Sequence, residues 1–288
     1  MTSTFRALEA SETEGKFSLT IVEKNVADLP EGDLLIKVDF SSLNYKDAMS
    51  ASGMPGVTRN YPHTPGIDAA GKIAESRVSD FKEGDEVIVT GYDLGMNTSG
   101  GFGEYIRVPS SWAVHLPKGL TTKESMSLGT AGLTAGLSIH ALDSFRKYTG
   151  LKNTKAVVSG ATGGVGSVAV IALNKMGYNV TAVTGKDSKA DYLKSLGAKT
   201  VVNRSEFDKD PRLIDKGLWD GVVDTVGGKI LSCNCTSSNI FDFPDEGICS
   251  IKNCNFQEFE KRLLEICSIS KEDYFSKLNK NKCYTMEY

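Results

Sequence analysis

The sequence has no cysteine before Cys233 and only three histidines among its 288 residues. A catalytic zinc ion is held by cysteine, histidine and carboxylate side chains. The histidines, His63, His115 and His140, show no paired spacing, and we interpret them as ordinary surface or interface residues. We therefore expect no metal site in the chain ahead of Cys233.

Two further features are absent: an excess of charge of one sign and a long apolar run. The chain has 33 Lys and Arg against 36 Asp and Glu, a formal net charge of −3, which gives no basic surface for nucleic acid. No run approaches the roughly 20 apolar residues of a membrane span, and the first residues lack the segments of a signal peptide. We expect a cytoplasmic, two-domain protein that binds neither nucleic acid nor a membrane and acts on a small molecule.

The most informative stretch is 156–166 (AVVSGATGGVG), where a short apolar run leads into closely spaced glycines. It predicts a buried strand, a tight turn and a helix N-terminus, the arrangement that holds the pyrophosphate of a dinucleotide. Glycine permits the turn and lets backbone N–H groups approach the phosphates, although a spaced-glycine turn alone also fits an ordinary tight turn. The candidate cofactor-binding residues here are Gly160, Gly163, Gly164, Val165, Gly166 and Ser167.

Strand and helix signals alternate after the glycines. An apolar stripe over 165–176 predicts a helix that stops at Gly177. This alternation predicts a parallel, doubly wound sheet, with its ligand at the carboxyl ends of the strands. Further strands are predicted at 178–183, 198–202 and 221–226.

The type of dinucleotide is decided at the end of the second strand, where a carboxylate about 20 residues after the glycines would bind the ribose hydroxyls of NAD. Thr184, Gly185 and Lys186 stand there instead and suit a 2′-phosphate, so the sequence predicts NADP(H). Asp187 could reach a ribose hydroxyl, but it or the serine after it is better explained as a cap for the next helix. Arg204 is either a second partner for the phosphate or a solvated loop arginine.

The first half of the chain shows a different pattern, in which short apolar runs are separated by Gly and Pro. The clearest runs are 34–40, 86–89 and 104–108. They predict a β domain, with a barrel as the expected form.

Four motifs carry a resemblance to a known family: 41–48 (SSLNYKDA), 65–71 (PGIDAAG), 129–132 (GTAG) and the glycine turn. They occur in the order and spacing of the medium-chain dehydrogenase/reductase family. Over about residues 1–232 the sequence is most similar to the zinc-independent quinone oxidoreductase branch, which includes acryloyl-CoA reductases.

The resemblance implies an α/β fold with two domains and a cleft between them that holds the reaction. A GroES-like β-barrel catalytic domain is expected at 1–125, and a Rossmann NADP-binding domain with a doubly wound parallel sheet at 126–232. The implied activity is NADPH-dependent hydride transfer to a polarised C=C bond, as in an acryloyl-CoA-like enoyl thioester, or to a quinone. Family members form homodimers.

Zinc ligands are missing where zinc-dependent relatives carry them. In place of their cysteine the segment 44–47 reads Asn-Tyr-Lys-Asp, and in place of Gly-His-Glu the segment 66–68 reads Gly-Ile-Asp. Without a Lewis acid, an acceptor already conjugated to a carbonyl is the natural substrate, because it takes hydride directly and needs only its oxygen hydrogen-bonded.

Tyr45 is our candidate donor to that oxygen. A phenol with a reference pKa of about 10 suits positioning better than obligatory proton transfer. The alternative is that Tyr45 packs in the barrel within a structural turn. The resemblance places Asn44 beside the nicotinamide and Thr130 near its carboxamide, and implies that Lys46 and Asp47 form a buried ion pair.

The resemblance ends where the composition changes. Residues 233–288 hold all six cysteines and a single glycine, with no alanine or valine. The strands that complete the Rossmann sheet and often pair across the family's dimer are not recognisable there, nor is a final segment that returns to the barrel. The sequence therefore does not decide whether this chain forms the family's dimer. We interpret this tail as a frameshifted or replaced C-terminus beside an incomplete sheet. The alternative function is a non-catalytic or defective dinucleotide-binding product of an altered reading frame.

Overall fold

The structure is a computed structural model that describes residues 4–207, 218–231 and 285–287. The described chain forms two compact units, one up to Thr130 together with 285–287 and the other from Ala131 onward. Among the described residues, none of the helices combines the length and apolar content needed to cross a bilayer.

The first unit is built from antiparallel β-structure. Its elements are β1 (Thr4–Thr13), β2 (Lys16–Asn25), β3 (Leu34–Ser42), α1 (Tyr45–Ala51), β4 (Asp68–Ser76), β5 (Glu86–Thr90), β6 (Tyr105–Val108) and β7 (Ala113–His115). β1 and β2 form a long hairpin, while β3, β4, β5 and β7 follow one another in a second sheet and β6 pairs with the first half of β3. The predicted runs coincide with β3, β5 and β6.

Alternation along the strands builds the core of this unit. Leu34, Ile36 and Val38 point to one side of β3 and pack with Ile73 and Val87 from neighbouring strands. Burying each such side chain contributes about 1.5–3 kcal/mol. α1 follows β3 in the chain, and β4 pairs with β3.

The second unit contains a parallel sheet with helices between its strands. The elements are α2 (Thr122–Thr149), which begins in the first unit, then β8 (Lys155–Val158), α3 (Gly164–Lys175), β9 (Asn179–Thr184), α4 (Ala190–Ser195), β10 (Thr200–Asn203) and β11 (Gly221–Val223). The strand order is β10–β9–β8–β11. This order and the intervening helices confirm the predicted Rossmann-type fold.

The glycine-turn strand is the centre of the second core. Ala156, Val157 and Val158 are fully buried, and the apolar side of α3 packs with Ala156 and Val158 through Ala169 and Leu173. A strand buried on both faces shows a continuous apolar run rather than an alternating one. The helix predicted over 165–176 is α3, and Gly177 follows it with φ of +84°.

One short strand lies near the end of the chain. β12 (Thr285–Glu287) pairs antiparallel with 40–42 of β3. The expectation that no segment returns to the barrel was therefore wrong for these three residues. The rest of the predicted atypical tail lies outside the described residues.

Candidate active site

The glycine turn joins β8 to α3 and leaves a helix N-terminus accessible. Gly163 is the N-cap of α3, has extended backbone and makes no side-chain cap. Gly163 and Gly164 are both exposed. The first N–H groups of a helix have no partner within it and lie at the positive end of its dipole. This turn therefore presents donors to an anion.

The glycines of the turn have different reasons to be glycine. Gly160 has φ of +57°, which other residues rarely adopt. A Cβ on Gly166 would lie 2.7 Å from the Cα of Ala161, so that position admits no side chain. A Cβ on Gly163 would meet only the Gly160 carbonyl oxygen, at 3.3 Å. Gly160 and Gly166 are required by the fold, whereas Gly163 keeps space open over the turn.

Val165 and Ser167, also predicted to bind the cofactor, lie in the first turns of α3. Val165 packs against the core of the second unit. Ser167 is buried, and its hydroxyl donates to the Gly164 carbonyl over 3.1 Å. Because both side chains make contacts within the protein, only their backbone groups suit the predicted cofactor-binding role.

The residues predicted to bind a 2′-phosphate meet at the carboxyl ends of β9 and β10. The Arg204 guanidinium lies against Gly185, where a Cβ would come within 2.7 Å of its Nε. Thr184 is buried, and its hydroxyl accepts a bond of 3.1 Å from the backbone N–H of Lys186. Lys186 and Arg204 are exposed. Two cations and a bare backbone thus share one edge of the sheet.

Asp187 does not cap the next helix. Its carboxylate accepts a hydrogen bond of 2.6 Å from the side-chain amide of Asn203. It begins a short 3-10 turn, Asp187–Lys189, and the N-cap of α4 is Lys189. The prediction that Asp187 or Ser188 caps the next helix was wrong, because the turn intervenes and Asp187 bonds across to the end of β10.

In the first unit, Asn44 and Asp47 form a capping box at the start of α1. The backbone N–H of Asn44 donates to Asp47 Oδ2 over 2.7 Å. Tyr45, the first residue of α1, is 80% exposed, which differs from the alternative of a tyrosine packed in the barrel. Its phenol is therefore presented to solvent at the helix start.

Asp47 is 3% exposed, and its second oxygen accepts the backbone N–H of Ile67 over 2.9 Å. Burial raises the pKa of this carboxyl from 3.8 to about 6, with the nearby charge of Asp68 adding to the rise and the hydrogen bonds opposing it. Lys46 is exposed, and no ion pair joins it to Asp47 in the part of the chain that the structure describes. The predicted ion pair was wrong, because backbone N–H groups hold the carboxylate instead.

Asp68, the first residue of β4, is fully buried and accepts three hydrogen bonds. Asn44 Nδ2 donates to Oδ2 over 2.8 Å, and the backbone N–H of Thr130 donates to the same oxygen over 2.9 Å. The Thr130 hydroxyl donates to Oδ1 over 2.8 Å. Asp68 thus joins the two predicted nicotinamide contacts, Asn44 and Thr130. Sequence reasoning missed it; the available signal was a carboxylate among apolar residues at 67–70.

A kink in α2 makes this arrangement possible. Gly129 has φ of +48°, and a Cβ there would collide with Ser42 Oγ and lie 2.6 Å from Asp68 Oδ2. In an unbroken helix the Thr130 N–H would donate to the Met126 carbonyl. Here that N–H donates to Asp68, and the Met126 carbonyl accepts the Ser42 hydroxyl over 2.6 Å. The first unit therefore supplies both partners of the broken helix bond.

The histidines differ in their surroundings. His63 is 6% exposed, and burial lowers its pKa, so the surface interpretation was wrong for it. His115 is exposed and His140 half-buried. In the described ranges, no three His, Cys, Asp or Glu side chains form a group that could hold a metal ion.

The fold and the glycine turn define a class: oxidoreductases that combine a β catalytic domain with a Rossmann-type dinucleotide-binding domain. Residues 30–118 match the family described as alcohol dehydrogenase GroES-like domain. Residues 164–237 match the family described as zinc-binding dehydrogenase.

Two individual relatives indicate which oxidoreductases this chain is similar to. YhfP of Bacillus subtilis, which bears the name of a quinone oxidoreductase, is 45% identical over 235 residues, 81% of this chain and 70% of its own. Acrylyl-CoA reductase AcuI of Ruegeria pomeroyi is 41% identical over 79% of this chain and 69% of its own. These sequence matches do not extend over the C-terminal part of this chain.

Solved structures agree with the sequence relatives. The structure of YhfP with NAD bound has a TM-score of 0.85 and 36% identity, covering 96% of this chain and 91% of its own. The structure of Escherichia coli YHDH with NADPH bound has a TM-score of 0.83 and 35% identity, covering 94% and 90%. The chain belongs to the medium-chain dehydrogenase/reductase family, in its quinone oxidoreductase and acryloyl-CoA reductase branch, as its motifs predicted.

Proposed function

We propose that this chain is an NADPH-dependent reductase of a C=C bond conjugated to a carbonyl, as in an acryloyl-CoA-like enoyl thioester, or of a quinone. The reaction is hydride transfer without zinc. The observation that carries the proposal is the position of Arg204 against Gly185 and beside Lys186, at the edge of the sheet where a dinucleotide ribose binds. The names of YhfP and AcuI support the two acceptor classes.

Of three related structures, two hold NADP or NADPH and one holds NAD, and this chain's own residues favour NADPH. Two cations and a hydroxyl suit a phosphate and would be wasted on a neutral ribose. Asp187, the nearest carboxylate candidate for a ribose hydroxyl, is bonded to Asn203. The N–H groups at the start of α3, beginning with that of Gly164, receive the pyrophosphate, since the N–H of Gly163 already donates to the Gly160 carbonyl oxygen over 2.9 Å.

When bound, the nicotinamide would supply the hydride that adds to the β carbon of the acceptor. The C=C pair would then shift to the bond between the α and carbonyl carbons, and the C=O pair would place negative charge on the oxygen. Tyr45 donates a hydrogen bond to that oxygen, and the α carbon then takes a proton from water or a side chain. Asn44 and Thr130 contact the nicotinamide, held by their bonds to Asp68.

Zinc, which the family description implies, does not fit the residues of the first unit. Segment 44–47 offers an amide and a carboxylate, and 66–68 offers one carboxylate. The oxygens of Asp47 and Asp68 already accept five hydrogen bonds from N–H and O–H groups. Both segments lack the imidazole nitrogen and thiolate sulfur that zinc prefers.

The reaction is tested by following NADPH oxidation with acryloyl-CoA and, separately, with benzoquinone, each with and without a strong chelator. We expect turnover with at least one acceptor, no effect of the chelator, and transfer of deuterium from C4-labelled NADPH to the product of acryloyl-CoA.

Tyr45→Phe should lower kcat at least about tenfold without changing the affinity for NADPH. Binding of NADPH with no turnover on either acceptor would contradict the reaction, and loss of activity that zinc restores would contradict the metal-free mechanism.

A further inference from the structure

The bonds around Asp68 fix which groups carry hydrogen. A carboxylate has no proton to give, so every partner of Asp68 must be a donor. Asn44 therefore faces it with its NH₂ group, and its carbonyl oxygen is directed elsewhere. The Thr130 hydroxyl proton is likewise held by Asp68 Oδ1. Toward any further group, the Thr130 hydroxyl oxygen can act only as an acceptor.

The surroundings keep this arrangement from rotating. Asp68 is fully buried, and Oδ2 is held by two obligate donors, Asn44 Nδ2 and the Thr130 backbone N–H. Gly129 permits this close approach, since a Cβ there would lie 2.6 Å from Oδ2. The direction of the Thr130 hydroxyl proton is thus set by the three hydrogen bonds to Asp68.

We infer that Asp68 is a positioning residue that makes Thr130 a hydrogen-bond acceptor for the NH₂ group of the nicotinamide carboxamide. The inference rests on the proposed function, which places Thr130 at that carboxamide. Asp68 acts through its neighbours and sets the polarity with which the site recognises the ring. A cofactor whose ring substituent lacks an N–H donor should bind more weakly for this reason alone.

The test measures dissociation constants of NADP⁺ and of its 3-acetylpyridine analogue, in which a methyl ketone replaces the carboxamide. In the unmodified chain we expect NADP⁺ to bind about 3- to 10-fold more tightly, as one hydrogen bond of ordinary strength provides. Thr130→Val should reduce the ratio to about one, and Thr130→Ser should keep it. Thr134→Val, one helical turn further along α2, is the matched control and should leave the ratio unchanged.

Asp68→Asn separates positioning from mere support. Its amide oxygen best serves the two obligate N–H donors, so its NH₂ group faces the Thr130 hydroxyl, which alone can switch to accepting. The Thr130 proton is then released toward the ligand, and the preference for the carboxamide should fall to about one although the hydroxyl is retained. A loss of stability without a change in this ratio would overturn the inference.

The outcomes distinguish the two proposals. Failure of the unmodified chain to bind NADP⁺ at all would contradict the proposed function. Tight binding of both cofactors without preference, or a preference that survives Thr130→Val, would overturn only the role of Asp68. If Asp68→Asn does not fold, the Thr130 pair still decides, because valine and serine differ by the hydroxyl in question.

Discussion

Asp47 and Asp68 are both buried, yet the donors around them differ. An ionised carboxylate away from water is costly unless hydrogen bonds replace its hydration. Asp68 receives three donors, one of them a hydroxyl that turns to suit it. Burial raises the pKa of Asp47 to about 6, because its two backbone N–H donors offset only part of the lost hydration and the nearby charge of Asp68 adds to the rise.

This rise makes Asp47 a source of pH-dependent stability. Because its pKa in the folded chain lies above 3.8, the folded state binds more protons between pH 4 and 6, and stability from this group falls as the pH rises through that window. Asp47→Asn removes the titration. We expect the free energy of unfolding of the variant, relative to the unmodified chain, to improve by about 2–3 kcal/mol between pH 4 and pH 7.

Urea unfolding followed by tryptophan fluorescence measures this difference. Asp33→Asn is the control: the hydrogen bonds from Ser110 lower the pKa of Asp33, so its contribution changes only below the window. A difference for Asp47→Asn that is flat from pH 4 to pH 7 would refute the expectation.

We expect Lys186 to set the preference between NADPH and NADH. Removing its cation with Lys186→Ala should weaken NADPH by about 10- to 100-fold, as for a charged hydrogen bond, and NADH by less than about twofold. Fluorescence titration of both cofactors measures the two losses. Lys199→Ala removes the same charge at the start of β10, where Lys199 bonds to Asn179, and should change neither affinity. Equal losses for both cofactors on Lys186→Ala would remove the phosphate assignment.

At the scale of elements, the turn between β8 and α3 separates fold from binding. Gly166→Ala forces a Cβ against the backbone of Ala161 and should destabilise the chain by about 1–3 kcal/mol. Gly163→Ala meets only the Gly160 carbonyl oxygen, at 3.3 Å, and should lower stability by less than Gly166→Ala while weakening NADPH binding, because its methyl group occupies the approach to the N–H groups. Melting curves and cofactor titrations of both variants give the answer. Equal stability losses would mean that Gly163 also serves the fold.

Elements with local signals were predictable, and those defined by distant contacts were not. α3 follows from its apolar stripe and β8 from an apolar run, because each is fixed by its own residues. The break in α2 at Gly129 depends on Ser42 and Asp68, which come from other strands. Likewise Lys186 and Arg204 were each predicted from the sequence, but the contact of Arg204 with Gly185 arises only when β9 and β10 pair.

For the whole molecule, ligand binding reports whether the fold is complete. A ligand that binds only the folded state must stabilise it, and NADPH at about 100 times its dissociation constant contributes about 2.7 kcal/mol. We expect a rise in melting temperature of about 4–6 °C with NADPH and a much smaller one with NADH. Calorimetry or dye-based melting measures both. The absence of a cooperative transition would instead support the defective product of an altered reading frame.

The boundary between the two units is a feature that the spacing of sequence motifs does not determine. The sequence predicted a boundary after residue 125, where no linker composition marks it, while the described chain divides after Thr130, within α2 and just past the kink. A helix that continues through a boundary gives no local signal of it. The strand Thr285–Glu287 was missed for a similar reason, since its partner is more than 240 residues away in sequence.

The kink at Gly129 also constrains how such a chain can change over generations. Ser42, Asp68 and Gly129 lie on three separate elements, yet each satisfies or makes room for the same interrupted helix bond. A larger residue at 129, or an apolar one at 42 or 68, leaves a polar group without its partner or a side chain without space. We therefore expect these three positions to be inherited as a set, so that a change at one persists only where the other two have changed with it.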